Sequence, residues 1–360
     1  MFRAAALLSL CTFALALSPS DLKVSIKAVE STVASVEDIV ITTIVSNPTT
    51  EDIRVIGKNN VLDGSATRSF AVTKDDGSVM FTGIRSTLDL TADSIYTTIP
   101  AGSSIAVNHT VGALYDFEHS GTGSFEFTPN TLFQTAPDTE PVEIAAETVS
   151  VEVTHDVAKR ELYPGQHLAR RTSTPTCGDS SKLSVITNAL ADARARAGGA
   201  ASDIKTHPNG PEYTAYFGGN AQNDIWFNFD RIAGDLSSVS KDRKIWCNSD
   251  PAGLCGANSG VIAYTVVVTS GGQIVGSDIY NCQIFFDSVR NTPSICAQGF
   301  DATTSSKGGV ILHELSHATS GSNDIAYGCS AASGLSVANK KNNADNYRCM
   351  GLAIYKDYVC

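Results

Sequence analysis

His313-Glu314-Leu315-Ser316-His317, preceded by Val310-Ile311-Leu312, is the stretch on which the reading of this chain turns. The apolar run predicts a buried helix, and two histidines four residues apart project from the same helix face. Both imidazoles can therefore reach one zinc ion, while Glu314, one position on from His313, can reach a water on that ion. The pattern points to metallopeptidase chemistry. Either histidine alone reads more simply as a satisfied core residue, so the functional reading rests on the joint spacing with Glu314.

Two histidines leave zinc short of the three protein ligands of a catalytic site. The chain has no further glutamate after Glu314 and no further histidine after His317, so the downstream carboxylates are Asp324, Asp345 and Asp357. Asp324 is the preferred ligand because it lies just past the helix in Gly321-Ser322-Asn323-Asp324-Ile325-Ala326-Tyr327-Gly328, a loop able to turn back toward the metal. A turn-capping Asp324 and a packing Tyr327 are the plainer alternatives. Asp345 reads as a helix-surface carboxylate, as an alternative ligand, or as part of the pocket for the residue after the cleaved bond.

Working outward, the cysteines define the surroundings of the motif. Of nine, Cys11 lies in the amino-terminal apolar run, and Cys177, Cys247, Cys255, Cys282, Cys296, Cys329, Cys349 and Cys360 all follow residue 171. An even set confined to one region of an exported chain reads as disulfides. Export itself is predicted by Arg3, the apolar and small residues from Ala4 to Leu17, and the cleavage-type Ala14-Leu15-Ala16, so residues 1–18 read as a signal peptide. No later segment is apolar enough to span a membrane. The remainder is expected to be secreted and monomeric.

Residues from about 20 to 155 carry short period-two apolar runs, among them 22–28, 39–45, 53–56, 79–81 and 149–153, separated by turn clusters such as Asn47-Pro48-Thr49 and Asp75-Asp76-Gly77. Such spacing predicts a β-sandwich. Beyond it lie the dibasic pairs Lys159-Arg160 and Arg170-Arg171 in a polar stretch. They read either as an ordinary linker or, preferably, as cleavage points for a dibasic-specific processing protease. Residues 19–171 are then a pro-region, released after Arg171, and residues 172–360 the mature domain. Asn108-His109-Thr110 is an acceptor for N-linked sugar on the pro-region.

Charge follows the same division. The chain carries −11 overall, whereas sixteen acidic and fourteen basic residues follow residue 171. Neither half has a basic tract of the kind that binds nucleic acid. In the second half, Leu183, Ile186, Leu190, Ala193 and Ala197 recur at helical spacing, with Gly198-Gly199 as the expected stop. A further helix is expected over 225–236, and strands over 261–268 and 278–286. The expectation is an α+β, mainly helical zincin-type domain.

His-Glu-x-x-His followed by Gly321-Ser322-Asn323-Asp324-Ile325-Ala326-Tyr327-Gly328 resembles the aspzincins, the deuterolysin family of secreted fungal neutral metalloproteases and their peptidyl-lysine relatives. Asn342-Asn343-Ala344-Asp345 and the cysteine layout resemble that family as well. The resemblance implies one zinc ion per chain held by His313, His317 and Asp324, Glu314 as general base, and Tyr327 as the phenol that polarises the scissile carbonyl. It also implies bridges Cys177 to Cys247, Cys255 to Cys282 and Cys296 to Cys360, leaving Cys329 with Cys349. The peptidyl-lysine relatives pair the aspartate matching Asp345 with a glutamate three residues on, where this chain has Arg348. That cation disfavours a lysine ammonium and points to broad endopeptidase action on proteins and peptides. The competing reading is a secreted non-catalytic adhesion or binding protein with a structural zinc module.

Overall fold

The computed structural model describes residues 17–137, 139–163, 174–234, 243–256, 258–291, 296 and 306–360. The signal segment up to residue 16 and the Arg170-Arg171 pair lie outside them. The chain is a mixed α/β protein in which strands dominate the first half and helices the second.

The alternating runs of the first half form the strands their period predicts. Lys23–Ala28, Val40–Ser46 and Ser104–Thr110 make a three-stranded antiparallel sheet. A five-stranded sheet is built from Thr32–Ser35, Val149–Asp156, Gly123–Pro129, Phe70–Lys74 and Gly77–Val79. Inward residues of both sheets, including Ile41, Phe70, Val72, Phe125, Phe127, Val151 and Val153, meet in one core. Burial of these large side chains, each contributing roughly 1.5–3 kcal/mol, is the main stabilising force, since residues 19–171 contain no cysteine.

The second half packs helices against a sheet ordered Thr174–Thr176, Lys244–Trp246, Gln273–Asn281, Val261–Ser270, Gly83–Leu88. The last of these strands belongs to the first half of the chain. It pairs antiparallel with Val261–Ser270, placing Thr87 opposite Ala263 and Ser86 opposite Tyr264. All six of its residues are buried, so one strand of the expected sandwich is spent on the other half. A strand buried on both faces carries no clean alternation, and sequence periodicity does not say which sheet it joins.

Two boundaries in the second half also differ from expectation. The first long helix runs over Ser180–Thr206, straight through Gly198-Gly199. Ala193, Ala197, Ala200, Ala201 and Ile204 continue its buried face past the glycines, and that packing outweighs a propensity cost of about 1 kcal/mol per glycine. Asp179 caps its start, accepting from the amides of Ser181 and Lys182. The strand expected over 278–286 ends at Asn281, and a short helix follows at Gln283–Asp287 after Cys282, which is bridged to Cys255. The expected 225–236 helix is observed as Gln222–Gly234.

At the centre lies Lys307–Ser320, the helix carrying the His-Glu-x-x-His motif. Ser306 caps it by accepting from the Gly309 amide, and Gly321, at φ 70°, ends it in the left-handed conformation. Every residue from Lys307 to Thr319 is buried, because helices Ser180–Thr206 and Ala344–Val359 cover one side and the sheet the other. The four disulfides join Cys177 to Cys247, Cys255 to Cys282, Cys296 to Cys360 and Cys329 to Cys349, the pairs the resemblance implies.

Candidate metal centre

The i, i+4 spacing sets the His313 and His317 rings 4.7 Å apart on one face of the central helix. The left-handed turn at Gly321 then folds the following loop back over that face and brings Asp324 to both rings. Asp324 Oδ1 lies 2.9 Å from His313 Nε2 and 3.2 Å from His317 Nε2. One potential ligand atom from each residue falls within 4.8 Å of the others. All three side chains are buried, and among the described residues His317 Nε2 has no hydrogen-bond partner of good geometry.

The outer nitrogens fix the rings. His313 Nδ1 pairs with Asp345 Oδ1 at 2.7 Å, and His317 Nδ1 donates to the Ser322 carbonyl at 2.8 Å. Both Nε2 atoms are thereby turned toward the same point, the arrangement by which metal-binding histidines are held in one tautomer. Burial disfavours a charged His313, but its hydrogen bonds to Asp324 and Asp345 outweigh that cost and raise its pKa to about 10. Burial likewise opposes ionised Asp324, yet the two histidines hold its carboxyl well below the usual carboxylate range. One carboxylate and two convergent imidazoles make this cluster a candidate cation site.

Asp345 is itself buried, with Oδ2 accepting from the Gly328 amide and from Arg348 Nη2, each at 2.8 Å. Its carboxyl is kept ionised despite burial, chiefly by Arg348 and then by His313. Both of its oxygens are engaged, Oδ1 by His313 and Oδ2 by Gly328 and Arg348. Asn343, two residues earlier, accepts from the amides of Ile325 and Ala326 at 2.9 and 3.2 Å and so shapes the Asp324 loop.

Glu314 is fully buried, and its carboxylate bridges the two halves of the chain. Thr265 Oγ1, from the second half, donates to Oε2 at 2.6 Å. Thr87, from the first half, donates to Oε1 through its amide at 3.1 Å and its hydroxyl at 2.6 Å. Tyr327 is gripped from the same side. Its hydroxyl meets the Asn59 amide and the Ser86 carbonyl, and Gln134 pairs with both its backbone N–H and its carbonyl. The Ser86 amide donates to Asp324 Oδ2 at 2.8 Å. Burial, reinforced by Asp324, raises the Tyr327 pKa well above its ordinary value.

Sequence reading brought together His313, Glu314, His317, Asp324, Tyr327 and Asp345, and all six meet here. It missed Asn59, Ser86, Thr87, Gln134, Thr265 and Asn343. For Asn343 a signal was present in the Asn342-Asn343-Ala344-Asp345 segment; the others reach the centre only through sheet pairing and loop packing. Asn108 is exposed on its strand, as a glycosylation acceptor requires, and accepts from Thr42 Oγ1. Lys159 and Arg160 are ordered and engaged, Arg160 pairing with Glu37 and Asp156.

A helix-borne histidine pair, a loop carboxylate closing on it and a buried glutamate beside them form a candidate metallopeptidase centre. The Deuterolysin metalloprotease (M35) family model matches residues 2–358, nearly the full chain. The chain belongs to that family and is a zinc metalloendopeptidase. A peptidyl-Lys metalloendopeptidase of Armillaria mellea is 30% identical, the alignment covering 95% of this chain and 94% of that protein. Penicillolysin of Penicillium citrinum is 25% identical over 91% of this chain and 92% of its own length. A neutral protease 2 homolog of Aspergillus fumigatus is 26% identical over 91% of this chain and 71% of its length. Among the described residues no helix is long and apolar enough to cross a membrane, and four disulfides fit a secreted protein.

Proposed function

We propose that the chain is the secreted precursor of an endopeptidase of broad specificity: signal 1–18, pro-region 19–171, mature enzyme 172–360. His313, His317 and Asp324 would hold one zinc ion, and the observation that carries this is the convergence of both Nε2 atoms on Asp324 Oδ1. When bound, zinc supplies Lewis acidity toward the scissile carbonyl and lowers the pKa of a coordinated water to about 7. Glu314 accepts the proton of the attacking water and returns it to the leaving amine. Tyr327 donates its phenolic hydrogen to the oxygen on which charge develops. Asp345 holds His313 in place. The engagement of Asp345 by His313 and Arg348 supports broad cleavage over lysine selection.

A closed structural site needs a fourth protein ligand, whereas the candidate group among the described residues has three. Together with family membership this sets the non-catalytic binding reading aside. The test is casein hydrolysis by purified, processed protein. Activity is expected to vanish on chelation and to return on adding zinc; hydrolysis that persists at full rate in chelator refutes the proposal.

A further inference from the structure

The peptide bond between Ser86 and Thr87 touches both Tyr327 and Glu314. Its carbonyl lies 3.4 Å from the Tyr327 hydroxyl, and its amide nitrogen 3.1 Å from Glu314 Oε1. These are the groups proposed to polarise a scissile carbonyl and to protonate a leaving nitrogen. On the amino-terminal side of that bond, the Ser86 amide reaches Asp324 Oδ2 and leaves Oδ1 directed at the histidines. The segment is extended and paired antiparallel along the edge of Val261–Ser270. An extended polypeptide bound by main-chain hydrogen bonds to a sheet edge is one of the general modes of peptide recognition.

We infer that Gly83–Leu88 is an internal pseudo-substrate, with Ser86–Thr87 in the scissile position, and that the edge of Val261–Ser270 is the surface an extended polypeptide substrate takes once this strand has gone. The inference rests on the endopeptidase reading above and adds how the centre is silenced and which way a substrate runs.

The strand blocks the centre without being consumed, for a reason visible at Glu314. Thr87 places two donors on Oε1 while Thr265 takes Oε2, so the carboxylate meets hydroxyl and amide hydrogens where a base needs a free oxygen facing water. Asn59, held at φ 58°, adds a second lock by placing its amide on Tyr327 and on Asp324. Packing around the strand is imperfect for a permanent core. Arg85 is buried with Nε and Nη1 lacking hydrogen-bond partners among the described residues, a costly arrangement that departure of the strand relieves.

The experiment uses the full chain with Lys159→Ala, Arg170→Ala and Arg171→Ala, which leaves neither basic pair intact and keeps the halves joined, zinc loaded, and a quenched fluorescent peptide as substrate. Thr87→Val removes the hydroxyl and keeps the shape; Asn59→Gly removes the amide and tolerates the backbone angle. Each is expected to raise activity of the uncut chain at least about 10-fold, by analogy with removing one donor from a catalytic hydrogen-bond network. In chains that retain Arg170 and Arg171, release with a dibasic-cutting protease should give equal activity from wild type and both variants, because the altered residues leave with the first half. Amide exchange along Val261–Ser270 should rise on release, while Gln273–Asn281 stays protected. Equal activity of uncut and released wild type, or no gain in either variant at unchanged zinc content and melting temperature, overturns the pseudo-substrate and leaves the peptidase standing. A released, zinc-loaded chain with no activity overturns the peptidase reading and this inference together.

Discussion

Glu314 shows one oxygen to each half of the molecule, and the two halves hold it by different means. The second half reaches Oε2 with a single hydroxyl, Thr265, from within a frame of four disulfides. The first half reaches Oε1 with an amide and a hydroxyl from one strand, and is itself kept together without disulfides, by apolar packing, sheet hydrogen bonds and ion pairs. Covalent bridging thus surrounds the groups that must stay, whereas the part read as removable is attached without it, through a strand edge, polar contacts and an apolar cluster that sets Ile84, Leu88 and Ile95 against Val261, Tyr264 and Tyr280. That contrast is open to test from several sides.

The largest expected effect comes from removing the point at which the halves meet. Glu314→Gln keeps the volume but lacks the basic oxygen, so casein hydrolysis by the released domain should fall about 100- to 10,000-fold while zinc content stays at one per chain. Activity within a few-fold of wild type would falsify the role of Glu314. The next effect separates ligand from support inside the second half. Asp324→Ala should lower zinc affinity by more than about 100-fold, whereas Asp345→Asn, which touches the metal group only through His313, should cost about 10- to 100-fold. Metal analysis after dialysis against graded chelator distinguishes them, and the reverse ranking would exchange their roles.

The third prediction concerns the frame. Cys329 and Cys349 are 20 residues apart and tie the loop after Tyr327 to the helix bearing Asp345 and Arg348. Their joint replacement by serine should cost about 3 kcal/mol and loosen Asp324 and Tyr327 before the whole domain unfolds. Zinc release at temperatures below the melting transition is the signature; an unaltered melting temperature with unchanged zinc retention would remove this bridge from the argument.

The smallest effect concerns the unbridged half. His109 is buried against Thr43 Oγ1 and the Val61 carbonyl, and burial lowers its pKa from the ordinary 6.5, with the Val61 contact partly opposing the shift. Its folded pKa lies below the unfolded one, so the stability linked to the neutral ring is present above about pH 6.5 and is lost as pH falls toward the folded value. Protection factors of the amides in Val40–Ser46, exchange rates corrected for the intrinsic pH dependence, should therefore fall between pH 7 and pH 5, and His109→Gln should flatten that dependence. An equal fall throughout the disulfide-bridged half would show that the contrast does not extend to acid stability.

Much of the centre was legible because its chemistry is local. His313, Glu314 and His317 lie on one helix whose pitch alone sets their spacing, and Asp324 and Tyr327 follow within one loop, so composition and order already restrict the ligand set. The period-two runs near 23–28, 40–46 and 149–156 likewise announced strands, since a half-exposed strand must alternate. Partnership was not legible. Gly83–Leu88 is buried on both faces and has no period that assigns it to either sheet, and the distance along the chain from Thr87 to Glu314, 227 residues, leaves no local trace. Asp345 shows the same divide, because its residue type fitted ligand, substrate pocket or surface equally well until the helix packing laid it against His313 and Arg348. Sequence by itself determined which side chains can do chemistry and how neighbours on one element are spaced. Only the tertiary structure decided which oxygen faces which donor, because strand pairing and helix docking are selected by the whole buried surface and not by any one segment's pattern.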